Sequence, residues 1–183
     1  MDDIYILKSP EKSQSCVVFN SPHSGSEYSD EFLASTKLDS LAIRSSEDAF
    51  VNELFMDAPK YGAYLLAARA PRAFIDLNRN ANELDSALVR DVKRAPANPR
   101  IAAGLGIIPR VVGSGQVVRT GKMPLAEAEA RIAKFYTPYH DRLRDLIASQ
   151  REQFGMAILL DCHSMPQRAL DAAPLVRGKL PDI

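Results

Sequence analysis

Three histidines, two cysteines and no tryptophan occur in the 183 residues of this chain. With His23, His140 and His163 as the whole imidazole supply, each can be weighed separately as a ligand or acid/base group. Two cysteines cannot support a disulfide framework. Cys16 and Cys162 both sit among apolar residues in predicted strands and read as buried free thiols in a reducing cytoplasm. An excess of either charge is also missing, since Lys plus Arg and Asp plus Glu both total 23. That removes the basic balance expected of a nucleic-acid or anionic-membrane binder. No apolar run nears the roughly 20 residues of a spanning helix, and Met1-Asp2-Asp3 is no signal-peptide start. What remains is 46% apolar and 25% charged, an ordinary globular balance read as one domain over 1–183.

The most informative stretch lies late in the chain. An apolar run over 156–160 reads as a strand buried on both faces of a largely parallel sheet. It stops in Asp161-Cys162-His163-Ser164-Met165-Pro166, where strand alternation puts Asp161 and His163 on one face and Cys162 on the other. Ligands in open α/β sheets bind at carboxyl edges of strands. An acid and a histidine there fit a metal ligand or an acid/base pair; a capping Asp with a hydrogen-bonded core His is the plain alternative. Cys162 and His163 point apart, which argues against a Cys-His nucleophile pair.

Other polar groups follow other strands. Residues 1–14 read as a polar lead-in, and residues 16–20 as a strand that gives way to Ser21-Pro22-His23-Ser24-Gly25, a turn-forming loop. A short helix is predicted from Asp30. Ser45-Ser46-Glu47-Asp48 resembles a capping box opening a helix with Phe50, Val51, Leu54, Phe55 and Ala58 as its stripe. There the two acids need do no more than complement the helix dipole. Strands are predicted over 63–68 and 73–77, the second running into Asn78-Arg79. Arg79 has the planar fork to hold a carboxylate, although a surface turn arginine is the simpler reading.

Residues 80–106 read as a long excursion of the kind that often covers a site. Residues 107–112 and 116–119 read as a hairpin. The longest helix starts at Pro124, with Pro138 kinking or dividing it and Thr137 as a new N-cap. His140 falls near its apolar stripe, where a satisfied half-buried histidine is the default. Strands alternating with helices predict an α/β fold, its mixed, largely parallel sheet flanked by helices.

Taken in order, Asn20-Ser21-Pro22-His23-Ser24-Gly25, Ser46-Glu47-Asp48-Ala49-Phe50-Val51, Asp76-Leu77-Asn78-Arg79, Pro138-Tyr139-His140 and Asp161-Cys162-His163-Ser164-Met165 form a set that resembles the N-formylglutamate amidohydrolase family, from about residue 16 onward. The resemblance implies a three-layer fold like that of zinc carboxypeptidases and aspartoacylase-type deacylases. It implies one zinc ion on His23, His163 and a carboxylate, with water in the open position. The deacylase relatives draw the carboxylate from His-x-x-Glu. Ser26 stands at that position here, so the choice falls on Asp48, then Glu47, then Glu27.

Asn78 and Arg79 would hold the α-carboxylate of an N-acyl amino acid, with Arg119 or Arg72 as a second cation. His140 and Arg72 would lie near the site. The implied reaction is hydrolysis of N-formyl-L-glutamate to formate and glutamate, within histidine degradation. Related zinc deacylases or peptidases on other N-acyl substrates, and a non-catalytic relative, are the alternatives.

The family's general base is a glutamate well downstream of His163, which the resemblance places beyond Ile183. Lys179-Leu180-Pro181-Asp182-Ile183 reads as a strand cut short. Glu47, Glu27 or Asp161 can stand in, although Asp161 is better suited to orient His163 from behind. The expectation is a chain that binds metal but turns substrate over slowly, because a general base contributes about 10²–10⁴-fold.

Overall fold

A computed structural model describes residues 4–92 and 98–165; the predicted strand at 179–183 and Pro166 lie outside these. Four strands form one mixed sheet in the order β1-β3-β2-β4. They are β1 (Tyr5–Lys8), β2 (Val17–Ser21), β3 (Tyr64–Ala68) and β4 (Ile158–Asp161). β2 runs parallel to both β3 and β4, and β1 is antiparallel to β3. The predicted α/β class and largely parallel sheet are therefore present. β1 is an addition to the expected polar lead-in. Its apolar core of Tyr5, Ile6 and Leu7 pairs with the outer side of β3.

The sheet is covered on both faces. Val18, Leu66 and Ala68 face a core that includes Tyr139, Leu143 and Leu146 of the long helix α5 (Thr137–Phe154). On the other face Leu65 packs with Ala58 and Ala63, and Val17, Phe19 and Phe55 close over them. β4 departs from expectation, since Ile158, Leu159 and Leu160 are each about 40% exposed. Among the described residues β4 pairs only with β2, which leaves its outer edge open.

Other elements differ from their sequence patterns for local reasons. Residues 73–77 are no strand: the amides of Phe74 and Ile75 both bond Pro71 O, which winds the segment into a turn. It is still apolar and buried, with Ile75 fully inaccessible, and this imitates a strand in sequence. The predicted capping box at 45–48 does not form. A short 3-10 turn, Ile43–Ser46, ends at Glu47, and the Asp48 amide bonds His23 O instead. Phe50 then takes a left-handed φ of 66°, so that only one helical turn, α2 (Val51–Leu54), follows. Phe50 and Leu54 of the expected stripe are exposed.

The hairpin reduces to a single Val111–Val117 bridge. The described part of the 80–106 excursion packs inward, with Leu88 and Val89 in the main core.

Pro138 neither ends nor splits the long helix. Residues Leu125–Arg131 form an α-helix, Ile132–Tyr136 a π-helical turn, and α5 continues without a break. The Thr137 amide reaches back five residues to Ile132 O, and Thr137 Oγ1 bonds the same carbonyl. Proline lacks an amide hydrogen, and the wider turn takes up the disturbance. One extra residue in the turn also rotates everything after it. The stripe Tyr139, Leu143, Leu146 and Gln150 thereby faces the sheet.

The loop after β2 is held by close backbone packing. A Cβ on Gly25 would collide with the carbonyl group of Ala70 and would lie 2.7 Å from Arg69 C. Backbone cannot swing aside as a side chain can, so Gly25→Ala should lower unfolding free energy by about 1–3 kcal/mol. Urea denaturation monitored by circular dichroism measures this, and a wild-type midpoint would contradict the packing.

Candidate metal centre

Because β2 and β4 are parallel with Asn20 opposite Asp161, both strands end at the same level. The loops leaving them bring His23 and His163 together, with ring centroids 4.8 Å apart. Asp48 arrives from the 3-10 turn and lies 6% exposed between them. Its Oδ2 is 2.7 Å from His163 Nδ1 and 3.6 Å from His23 Nδ1. Potential donor atoms of His23, Asp48 and His163 all lie within 4.8 Å of one another. These are the three residues predicted as ligands. Glu27 is elsewhere, in an ion pair with Arg69 at 2.5 Å.

The far side of each imidazole is also occupied. His23 Nε2 is 2.7 Å from Asp76 Oδ1, and His163 Nε2 is 3.1 Å from Asp161 Oδ2. Nε2 of each ring lies against a carboxylate, which leaves Nδ1 to face Asp48; His163 Nδ1 holds a proton towards Asp48 Oδ2, while His23 Nδ1 is turned to that oxygen at 3.6 Å. Asn78 Nδ2 lies 2.9 Å from the same His163 Nε2; with Nε2–H turned to Asp161, the amide has to be rotated to present its oxygen to the ring. His23 Nδ1 is buried and has no hydrogen-bond partner. A buried imidazole nitrogen left unpaired is costly unless something absent from a protein-only structure binds it. Two nitrogens and a carboxylate oxygen, each ring braced from behind, make a donor set that fits zinc or a similar divalent ion.

The electrostatics suit a cation. Burial pushes the Asp48 carboxyl up, but the His163 hydrogen bond and the nearby His23 imidazole outweigh it and hold the group well below the carboxylate range. Asp76, 1% exposed, is likewise pushed up by burial yet brought down to about 2, by His23 and then Arg72 and the Asn78 amide. The Asp161 and Asp48 contacts raise His163 to about 9.

Remaining predicted site residues divide into two groups. Arg72 donates to Asp76 Oδ2 at 3.0 Å, and Arg79 Nε lies 3.8 Å from that oxygen, buried and without a hydrogen bond. Asn78 touches His163. His140 Nε2 donates to Leu77 O at 2.8 Å, against the same segment; burial lowers its pKa.

Glu47 and Arg119 face away. The Glu47 carboxylate accepts from Tyr28 Oη at 2.6 Å and pairs with Arg44. Arg119 pairs with Glu127 at 2.9 Å, and Glu127 also holds Arg131. Asn20, Asp76 and Tyr139 belong to the site's hydrogen-bond network but were not singled out by sequence reasoning. Their signal was present only as members of the quoted motifs.

The shifted groups set the pH behaviour of the metal-free chain. His163 is raised from 6.5 to about 9, so its contribution to stability is complete below 6.5 and disappears as pH rises through 9. The Asp48 and Asp76 contributions are present above 3.8 and disappear as pH falls through the depressed folded values. Urea midpoints in chelator should fall on both sides of the 3.8–6.5 window. The alkaline fall should be absent in His163→Ala; its persistence there would assign it to another group.

The chain is similar to several known proteins. Over 184 aligned residues the chain is 28% identical to an N-formylglutamate deformylase of Pseudomonas aeruginosa, covering 100% of this chain and 62% of that protein. A Pseudomonas putida protein of the same name is 29% identical, over 91% of this chain and 57% of its own length. The fold matches the crystal structure of N-formylglutamate amidohydrolase from Ralstonia eutropha JMP134 with a TM-score of 0.84 and 31% identity, covering 92% of this chain and 60% of that one. The chain thus spans about three fifths of the length of these relatives. The family model for N-formylglutamate amidohydrolase matches residues 15–183. A match reaching across nearly the whole chain, and taking in every segment that builds the His–Asp–His cluster, makes this protein a member of the N-formylglutamate amidohydrolase family.

Proposed function

We propose that the chain carries the metal centre and the amino-acid clamp of a zinc-dependent hydrolase that cleaves N-formyl-L-glutamate to formate and L-glutamate. The observation that carries this reading is the convergence of His23, Asp48 and His163, with the His23 nitrogen buried and unpaired. Residues 1–183 would belong to one amidohydrolase domain, acting in histidine degradation in the cytoplasm.

His23 and His163 would bind the ion through Nδ1 and Asp48 through a carboxylate oxygen. Bound there, zinc supplies Lewis acidity at the scissile carbonyl and brings the pKa of a water molecule towards about 7. Asp76 and Asp161 keep the histidine Nε2 protons in place, which holds both rings in the ligating tautomer. Metal binding requires His163 to give up its Nδ1 proton.

The substrate's α-carboxylate would sit on Asn78 and Arg79. Arg79 is well suited because its buried Nε has no partner, so a bidentate carboxylate would satisfy it. His140 positions that segment through Leu77 O. Arg72 has one nitrogen on Asp76 and its side chain 24% exposed, so it retains donors for charge developing on the formyl oxygen. Glu47 is held by Tyr28 and Arg44 and takes no part in this reading. Hydrolysis adds one water across the amide: the C–N bond breaks, hydroxyl stays with formate and the proton leaves on the amine.

Two measurements test this. Zinc bound per chain, determined after dialysis, should be near one for the wild type and near zero for His163→Ala; equal loading would remove His163 from the ligand set. Formate release from N-formyl-L-glutamate should fall in Arg79→Lys almost as far as in Arg79→Ala, because lysine keeps the charge but not the fork. Wild-type kcat/KM in Arg79→Lys would overturn the clamp.

A further inference from the structure

Behind His163 a line of hydrogen bonds runs from the exposed edge of the metal centre into the buried helical layer. Asp161 Oδ2 faces His163 Nε2 at 3.1 Å, while its Oδ1 accepts from Asn20 Nδ2 at 2.6 Å. Asn20 Oδ1 in turn accepts from Tyr139 Oη at 2.5 Å. Tyr139 is fully inaccessible and Asn20 5% exposed, so water does not compete for either group. Tyr5 packs edge-on against the Tyr139 ring at 6.3 Å and limits its movement.

The direction of these bonds matters more than their number. A side-chain amide has a donating end and an accepting end, and nothing in its shape prefers one orientation over the other. The Asp161 carboxylate only accepts, so it takes the NH2 end of the amide and leaves Oδ1 facing Tyr139. The phenol, kept protonated by burial, donates to that oxygen and anchors the amide in place. With one carboxylate oxygen taken by Asn20, the other is aimed at His163 Nε2–H. Without the hydroxyl, the buried Oδ1 of Asn20 would lose its donor, and the amide would be free to tilt away from Asp161.

We propose that Tyr139 is a positioning residue for the metal centre: acting through Asn20 and Asp161, it sets the ring of His163 so that Nδ1 faces the ion. The π-helical turn at Ile132–Tyr136 belongs to the same device, because its extra residue sets the rotation of α5 that brings Tyr139 to the end of β2. A proline one residue before Tyr139 is thus accommodated and used. The inference rests on the reading of His163 as a ligand, and the test separates the two.

Zinc affinity is measured by chelator competition on the 183-residue chain for wild type, Tyr139→Phe, Asn20→Ala, the double variant Tyr139→Phe/Asn20→Ala, and His163→Ala. Tyr139→Phe keeps the buried ring and deletes only the hydroxyl. Partners behind a metal-bound histidine are commonly worth about 10–100-fold in affinity. Tyr139→Phe should therefore weaken zinc binding by about 10-fold, the lower end. Because the effect passes through Asn20, the hydroxyl deletion should add almost nothing in the Asn20→Ala background. The visible spectrum of the cobalt-substituted chain should also change in Tyr139→Phe, since a displaced ligand ring alters the ligand field whereas a merely softer core would not.

Unchanged zinc affinity in Tyr139→Phe, with loss in His163→Ala, would overturn the relay and leave the metal centre standing. Full additivity in the double variant would overturn it too, assigning Tyr139 to packing. Retention of affinity in His163→Ala would sink the ligand assignment, and the relay with it. Should Tyr139→Phe fail to fold, Asn20→Ala decides alone: about 10-fold weaker binding supports the relay, and wild-type affinity overturns it.

Discussion

Everything at the site depends on the parallel register that sets Asn20 of β2 opposite Asp161 of β4. Two strands that start far apart in sequence end at one level, and each delivers a histidine just beyond its last paired residue. A slip of one residue would turn Asp161 to the opposite face of the sheet and carry it away from Asn20. The register is reinforced by the Asn20 side chain donating to Asp161 and by the Cys162 backbone amide bonding Asn20 O at 2.7 Å. The strand pairing that builds the fold and the pairing that builds the site are the same interaction.

A second constraint is charge. Asp48 and Asp76 are buried, and isolated buried carboxylates are too costly to persist ionised. Asp76 is met by His23, Arg72 and the Asn78 amide, with Arg79 close by; Asp48 is met by His23 and His163. The acids and bases therefore stabilise one another as a unit, and the cluster keeps its ionised carboxylates without metal. A divalent cation between the three facing donor atoms would take the role of the His163 proton. The helical layer contributes through contacts that are neutral: Tyr139 to Asn20, and His140 to Leu77 O.

Much of this was legible in the residues. The apolar runs before His23 and His163 marked the two strands, and their polar ends marked a shared edge. Asp48, the acid expected at a helix start, is the one that reaches the histidines, although the helix begins only at Val51. Residues 73–77 resembled a strand because burial imposes an apolar pattern on turns as well as on ladders. Pro138 suggested a break, because a π-helical turn has no sequence period of its own to announce it. Glu47 looked like a group of the site, yet Tyr28, which turns it away, lies 19 residues earlier in the chain.

By itself, then, the sequence determined the α/β class, the strand ends and the short roll of polar residues from which a site could be assembled. These are local consequences of hydrophobic period and turn chemistry, readable within a few neighbours. The tertiary structure decided which of those residues meet and which way they face. Asp76 is aimed at His23 across 53 positions, and Tyr139 at Asn20 across 119. Such contacts depend on helix rotation, strand register and the direction of each hydrogen bond. These are set by close packing of the whole core and carry no mark in any one segment.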